Sequence, residues 1–378
     1  MRRVLFVTPG QAPAEMALWS AVVERGDVDL AVLGPWSHRS RLHYTLGQEL
    51  RPLPGTKAID ARVWGRRHHH HSWWWYPDLP GVVKRFKPDV VHVISEPWGL
   101  LVTQATRAHP VVVVHGAFTR WEFGGPRTST VRRKLGERSL PRLAGYVSWN
   151  RQGIDAVRDA GLPADTPTAV IPAVATPPST HAASIRPQAR QVGFVGRLAE
   201  EKGLEVLLHA LAQLEERAPA LTVVGDGPLR GSLEELAGQL GLDATFLGVV
   251  KLGEVDPLLA QFDVLVVPSV LTRKDEEQFG RVLVEGMSAG VPIVATSVGA
   301  QPDVVGDAAV LVPPGEVGSL ASAIEALLDD EPRRRRLAAA GVERYRRRYA
   351  PSVLASEIVT LWEQALPGSR PTDVGNEA

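Results

Sequence analysis

One stretch, Phe262 to Ala300, leaves few folds open to this chain. Val264 to Val267 is a short β-branched, apolar run, the composition of a strand buried on both faces. Pro268 and Ser269 stop it, and a polar loop follows. Phe279, Val282, Leu283 and Met287 then recur at helical spacing, so a helix is expected from about Phe279. Gly290 is placed to end that helix, and Val291 to Ala295 repeats the buried-strand composition. Strand, loop, helix and strand in this order build a doubly wound α/β sheet.

Two carboxylates bracket the helix. Glu277 sits at its N-terminal edge, and Glu285 follows after seven intervening residues. Helical rise separates their backbones by roughly 12 Å. That span is too long for one proton relay and suits the two ends of an extended ligand. Between them, the backbone N–H groups of Gln278, Phe279 and Gly280 are expected at a helix N-terminus, which favours an anion, usually a phosphate. Gly280 lets a ligand approach the backbone closely. The pattern predicts one carboxylate near a sugar, amides on a phosphate, and a second carboxylate on a ribose.

The segment EQFGRVLVE (Glu277 to Glu285), followed by GMSAGVPIVAT, resembles the Glu-x7-Glu signature of the retaining nucleotide-sugar glycosyltransferases of family 4, the glycosyl transferases group 1. The resemblance implies the GT-B fold, in which two Rossmann-like doubly wound domains face a central cleft. It is strong over residues 190 to 315 and mainly architectural before them. It implies transfer of a sugar from a UDP- or GDP-linked donor to an acceptor hydroxyl, without a metal and with no cofactor beyond the donor. Two other classes fit the architecture. A nucleotide-sugar epimerase would convert donor without acceptor, and a non-catalytic binding protein would bind without turnover.

The 378 residues suggest two domains. The expected division is an acceptor-binding domain over 1–172, a Pro-, Ala-, Ser- and Thr-rich linker over 173–190, and a donor-binding domain over 191–350. A helix over 351–366 is expected to cross back to the first domain, as in GT-B enzymes, before a disordered tail over 367–378. Lys plus Arg and Asp plus Glu both number 42, so bulk attraction to nucleic acid or membrane is unsupported. Cysteine is absent, which excludes disulfides and thiolate chemistry and fits a reducing compartment. The apolar run in MRRVLFVTPG is too short for a signal peptide and reads as a first strand, so a cytoplasmic location is expected.

In the N-terminal half, strands are expected over 3–8, 28–33, 89–94, 111–114, 146–149 and 168–171, with a helix over 15–25. Gly10, in the first strand–helix loop, is a candidate for a donor phosphate, although Gln11-Ala12 stands where the family usually has a Gly pair. Glu96 and Trp98 follow the carboxyl end of a strand, where α/β sheets collect ligand residues, and are candidate acceptor contacts. Arg120 and Trp121 extend that candidate cleft. His115 ends another strand, and the resemblance implies that it contacts the donor hexose. Asp27-Val-Asp29 spells a metal-binding triplet but falls at a strand's start, away from the ligand end. His68 to His71 cannot all face one ion. With Trp73 to Trp75 they read as a half-buried structural loop or, alternatively, an acceptor loop. Arg132, Arg133, Lys134, Arg138 and Arg142 make a basic helix without a large apolar opposite face, so it reads as solvated rather than membrane-bound.

In the C-terminal half, Arg197 and Lys202 lie between a strand and a helix start, where a fork and a point charge suit a diphosphate. Gly225 and Gly227 give a tight turn whose backbone is expected to approach a nucleoside. The segment from Gly248 to Leu252 is expected beside the base. The run Arg333 to Arg336 reads as a solvated face.

Overall fold

The computed structural model describes residues 1–9, 16–36, 53–65, 73–116, 128–172, 176–272 and 277–368. The chain divides into two compact units, Met1–Ala175 with Pro351–Ala378, and Thr176–Ala350. Each is built on one parallel sheet.

Unit 1 holds strands β1 (Arg2–Val7), β2 (Val28–Gly34), β3 (Lys57–Asp60), β4 (Val90–Ile94), β5 (Val112–Gly116), β6 (Gly145–Ser148) and β7 (Thr168–Val170), in the order β3-β2-β1-β4-β5-β6-β7. Its helices are α1 (Met16–Glu24), α2 (Leu79–Phe86), α3 (Leu100–Ala108), α4 (Thr128–Ser139) and α5 (Arg151–Asp159). The central strands are almost wholly apolar because helices cover both faces. β3 was not expected: it is an edge strand, mostly exposed, whose sequence KAID carries no buried alternation. The C-terminal helix, Pro351–Ala365, belongs to this unit. Its Trp362 stacks on Trp19 at 6.4 Å, and Trp19 on Phe6 at 3.9 Å, while the Trp362 indole N–H donates to His92 Nδ1 at 3.0 Å.

Unit 2 holds β8 (Gln191–Val195), β9 (Ala220–Val224), β10 (Ala244–Gly248), β11 (Val264–Val267), β12 (Ile293–Thr296) and β13 (Val310–Val312), in the order β10-β9-β8-β11-β12-β13. Between them run α6 (Leu204–Ala212), α7 (Arg230–Gln239), α8 (Leu252–Leu259), α9 (Arg281–Ala289) and α10 (Gln301–Val305). α11 (Val317–Asp329) and α12 (Glu331–Arg348) follow, and the C-terminal helix of unit 1 is α13. Strand order reverses between β8 and β11, which opens a crevice at their carboxyl ends.

Two expectations are corrected here. The segment read as a linker over 173–190 is fastened to unit 2 from Thr176 onward. Asp256 accepts from the Ser179 hydroxyl and, at 2.9 Å, from the Thr180 amide, and Asp263 accepts from Arg186 Nε at 2.8 Å. Nor is the run Arg333 to Arg336 uniformly solvated. Arg334 is 1% exposed and donates to the carbonyls of Leu327, Leu328, Arg186 and Pro187. It closes the last turn of α11 and ties the 186–187 segment to it, because orphan helix-end carbonyls need donors. Helical phase turns that one arginine inward, which a count of charges does not show.

Candidate active site

A cavity of about 200 Å³ lies at the carboxyl ends of β8 and β11. β8 leads into Gly196 and Arg197. Gly225 (φ 134°) allows the turn after β9 to lie against this loop: a Cβ there would sit 1.9 Å from the Gly196 carbonyl oxygen. A Cβ on Gly227 would sit 2.3 Å from the Leu198 oxygen. These two glycines do not line the cavity; they let the turn after β9 pack against the loop that carries Arg197 into it. The Arg197 guanidinium donates to Glu201 Oε1 at 2.6 Å. Burial pushes the Glu201 carboxyl up, but the Arg197 bond and nearby positive charge outweigh it and hold the group below its ordinary range.

Gly203, left-handed at φ 66°, brings the Lys202 turn onto the loop after β11; a Cβ there would meet the Pro268 oxygen at 2.0 Å. Lys202 Nζ thereby reaches Glu277 Oε2 at 2.6 Å, and the Ser269 hydroxyl donates to the same oxygen at 3.1 Å. α9 starts later than expected. Gly280 (φ 75°) is its cap and Arg281 its first residue. Phe279 lies outside the helix and packs edge-on against Tyr349 at 6.0 Å. The helix-end residues at the cavity are therefore Gly280, Arg281 and Val282, and not Gln278 and Phe279. One turn on, Glu285 pairs with Arg281 Nε at 2.9 Å. Burial raises its carboxyl pKa, and the Arg281 charge opposes the rise only in part.

The structure thus brings Arg197, Lys202, Glu277, Gly280 and Glu285 around one cavity. Leu252 opens α8. Gly10, Arg120, Trp121 and His68 to His71 lie outside the described residues. In unit 1, His115 is 1% exposed, with Nε2 3.0 Å from the Ile171 carbonyl oxygen, and burial lowers its pKa to about 4. Glu96 is 6% exposed. Trp98 is a core residue rather than a presented face: it is fully buried, with the Arg132 guanidinium 4.4 Å above its ring and Trp73 at 5.6 Å. Trp74 is likewise core, and Trp75 bridges Trp64. The carboxylates of Asp27 and Asp29 are occupied by Arg25 and Lys57.

Ser269 and Thr296 were not anticipated as site residues. A serine just beyond a buried strand is the one available signal, and Ser269 reads equally well as a strand stop.

Residues 180–344, which include every residue named around this cavity, match the family model for glycosyl transferases group 1. That segment is a group 1 glycosyl transferase domain. The chain is 33% identical over 228 residues to a 2-deoxystreptamine glucosyltransferase from Streptomyces kanamyceticus, covering 59% of this chain and 56% of the relative. It is 39% identical over 187 residues to a phosphatidyl-myo-inositol mannosyltransferase from Mycobacterium leprae, covering 48% of each. The chain thus spans about half the length of the curated relatives it matches. Among solved structures, a sucrose-phosphate synthase from Thermosynechococcus elongatus superposes with a TM-score of 0.72 at 17% identity, over 96% of this chain and 99% of that one. HepE from Anabaena, solved with UDP, gives 0.70 at 20% identity, over 95% and 99%. The group 1 domain therefore sits in a chain with the GT-B fold of two parallel α/β units.

Proposed function

We propose that this protein is a retaining hexosyltransferase that uses a UDP- or GDP-linked sugar. The carrying observation is that two separate loops of unit 2, one after β8 and one after β11, bring Arg197, Lys202 and Glu277 to the switch-point cavity, with Lys202 and Glu277 2.6 Å apart. Arg197, Lys202 and the first-turn amides of α9 hold the donor diphosphate and take up its growing charge. Glu277 orients the sugar hydroxyls, and Glu285 holds the ribose. The bond from the anomeric carbon to the phosphate oxygen breaks, its electron pair leaving with the diphosphate. The acceptor oxygen bonds to that carbon from the same face, and its proton passes to a diphosphate oxygen. The reading needs no metal, because the two cations and the helix end supply the positive field.

For the acceptor, the 2-deoxystreptamine glucosyltransferase and an alpha-D-kanosaminyltransferase of the same Streptomyces point to a small polyhydroxylated natural product. The test is incubation with UDP-glucose or GDP-mannose and 2-deoxystreptamine or related cyclitols. Nucleoside diphosphate release is followed, and the product anomer is read by NMR. The expected result is acceptor-dependent release and a product with the donor's anomeric configuration. An inverted product, or donor converted to its epimer without acceptor, contradicts the reading.

A further inference from the structure

Beneath Glu277 lies a chain of buried hydrogen bonds. Ser269 is fully buried and donates to Glu277 Oε2 at 3.1 Å. Its own carbonyl accepts from the Thr296 hydroxyl at 2.5 Å, and the Thr296 amide donates to Gln301 Oε1 at 3.1 Å. Thr296 and Gln301 are 1% and 0% exposed. The chain therefore links the ends of two adjacent strands, β11 and β12, to one carboxylate.

The backbone of Glu277 is held by the same loop. The Ala300 amide donates to the Glu277 carbonyl at 2.9 Å. Gly299 (φ 54°) makes that approach feasible, since a Cβ there would sit 2.2 Å from the same oxygen. Both side-chain bonds to Glu277 from the described residues, Lys202 Nζ and Ser269 Oγ, fall on Oε2.

We propose that Ser269, Thr296 and Gln301 are positioning residues for Glu277. They fix Oε2 so that Oε1 is the oxygen presented to the donor sugar. This rests on the reading that Glu277 contacts the sugar. A carboxylate free to rotate would lose its orientation, and a displacement of about 1 Å can cost on the order of 100-fold in rate. The buried bonds remove that freedom without touching the ligand. Gln301 acts at the far end, through Thr296, where its side-chain oxygen accepts the amide that opens the turn.

The experiment compares Ser269→Ala, Thr296→Val and Thr296→Ser with Glu277→Gln as reference. Turnover of UDP-glucose or GDP-mannose is measured beside calorimetric binding of free UDP or GDP, which lacks the sugar. Ser269→Ala and Thr296→Val are expected to lower kcat roughly tenfold while free-nucleotide Kd changes less than about twofold. Thr296→Ser, which keeps the hydroxyl, should recover most of the turnover that Thr296→Val loses. Two results overturn the proposal while leaving the functional reading intact. One is unchanged kcat in Ser269→Ala and Thr296→Val when Glu277→Gln is inactive. The other is a parallel fall in kcat, nucleotide affinity and Tm, which marks simple loss of structure. Full activity in Glu277→Gln overturns the proposal together with the reading beneath it.

Discussion

At the carboxyl ends of β4 and β5 in unit 1, polar side chains are buried: His115 is 1% and Glu96 6% exposed, and Trp98 is fully covered. At the ends of β8 and β11 in unit 2, charged side chains line a cavity instead, and the Arg197 side chain is 51% and that of Lys202 27% exposed. The two sheets share parallel strands and a central reversal of strand order, so winding alone does not set the chemistry. What differs is how the loops are packed. Gly203, Gly225, Gly280 and Gly299 all have positive φ and lie around the unit 2 site, and at three of them a Cβ would strike a neighbouring carbonyl. Backbone packed on backbone leaves the side chains free to face a ligand. In unit 1, among the described residues, rings pack on one another instead: His92 and His115 lie 5.7 Å apart, and His92 also meets Trp19 and Trp362.

The largest effect that sharpens this contrast is chemical. Glu277→Gln keeps the shape of the unit 2 cavity and removes its central negative charge. Steady-state turnover should fall by on the order of 10²- to 10³-fold, with the melting temperature little changed. A loss below about tenfold would remove Glu277 from the reaction.

Acid should separate the units next. Burial lowers the His115 pKa to about 4 and holds that of His92 well below its ordinary value. The unfolded chain then takes up these protons first. Stability is intact above pH 6.5 and is lost as pH falls through 4, on the order of 3 kcal/mol for His115. In unit 2 the lowered carboxyls, Glu201 and Asp256, act only below their ordinary values of 4.5 and 3.8. All ten tryptophans lie in unit 1, so their fluorescence reports that unit alone. The fluorescence melt should drop between pH 6.5 and 4.5, and a flat profile there would break the comparison.

The smaller effects concern neighbours in one arginine run. Arg334→Met leaves buried carbonyls without their donor and should cost unit 2 about 2 kcal/mol. Arg335→Met removes an exposed pair with Glu331 and should change stability by no more than about 0.5 kcal/mol. Chemical denaturation followed by circular dichroism distinguishes them, and equal costs would refute the inward placement of Arg334.

Much of unit 2 was legible because its signals are local. Val264–Val267, the glycines at 280 and 290, and the Glu277–Glu285 spacing each report on their own few residues. Burial and pairing are not local. Glu277's partners Lys202 and Ser269 come from other segments, and nothing near residue 301 announces that Gln301 supports residue 296. The same limit explains Trp98. A tryptophan after a strand end reads as a ligand platform, until Arg132 and Trp73, far apart in sequence, are seen to cover it. β3 and α8 escaped for another reason: one is a polar edge strand, and the other carries Pro257 inside the helix.

The most direct measurement is hydrogen–deuterium exchange with and without saturating UDP-glucose or GDP-mannose. The account predicts protection concentrated at residues 196–203 and 277–285, weakened in Lys202→Met. Protection confined to unit 1, or wild-type protection in Lys202→Met, would contradict donor binding at this cavity.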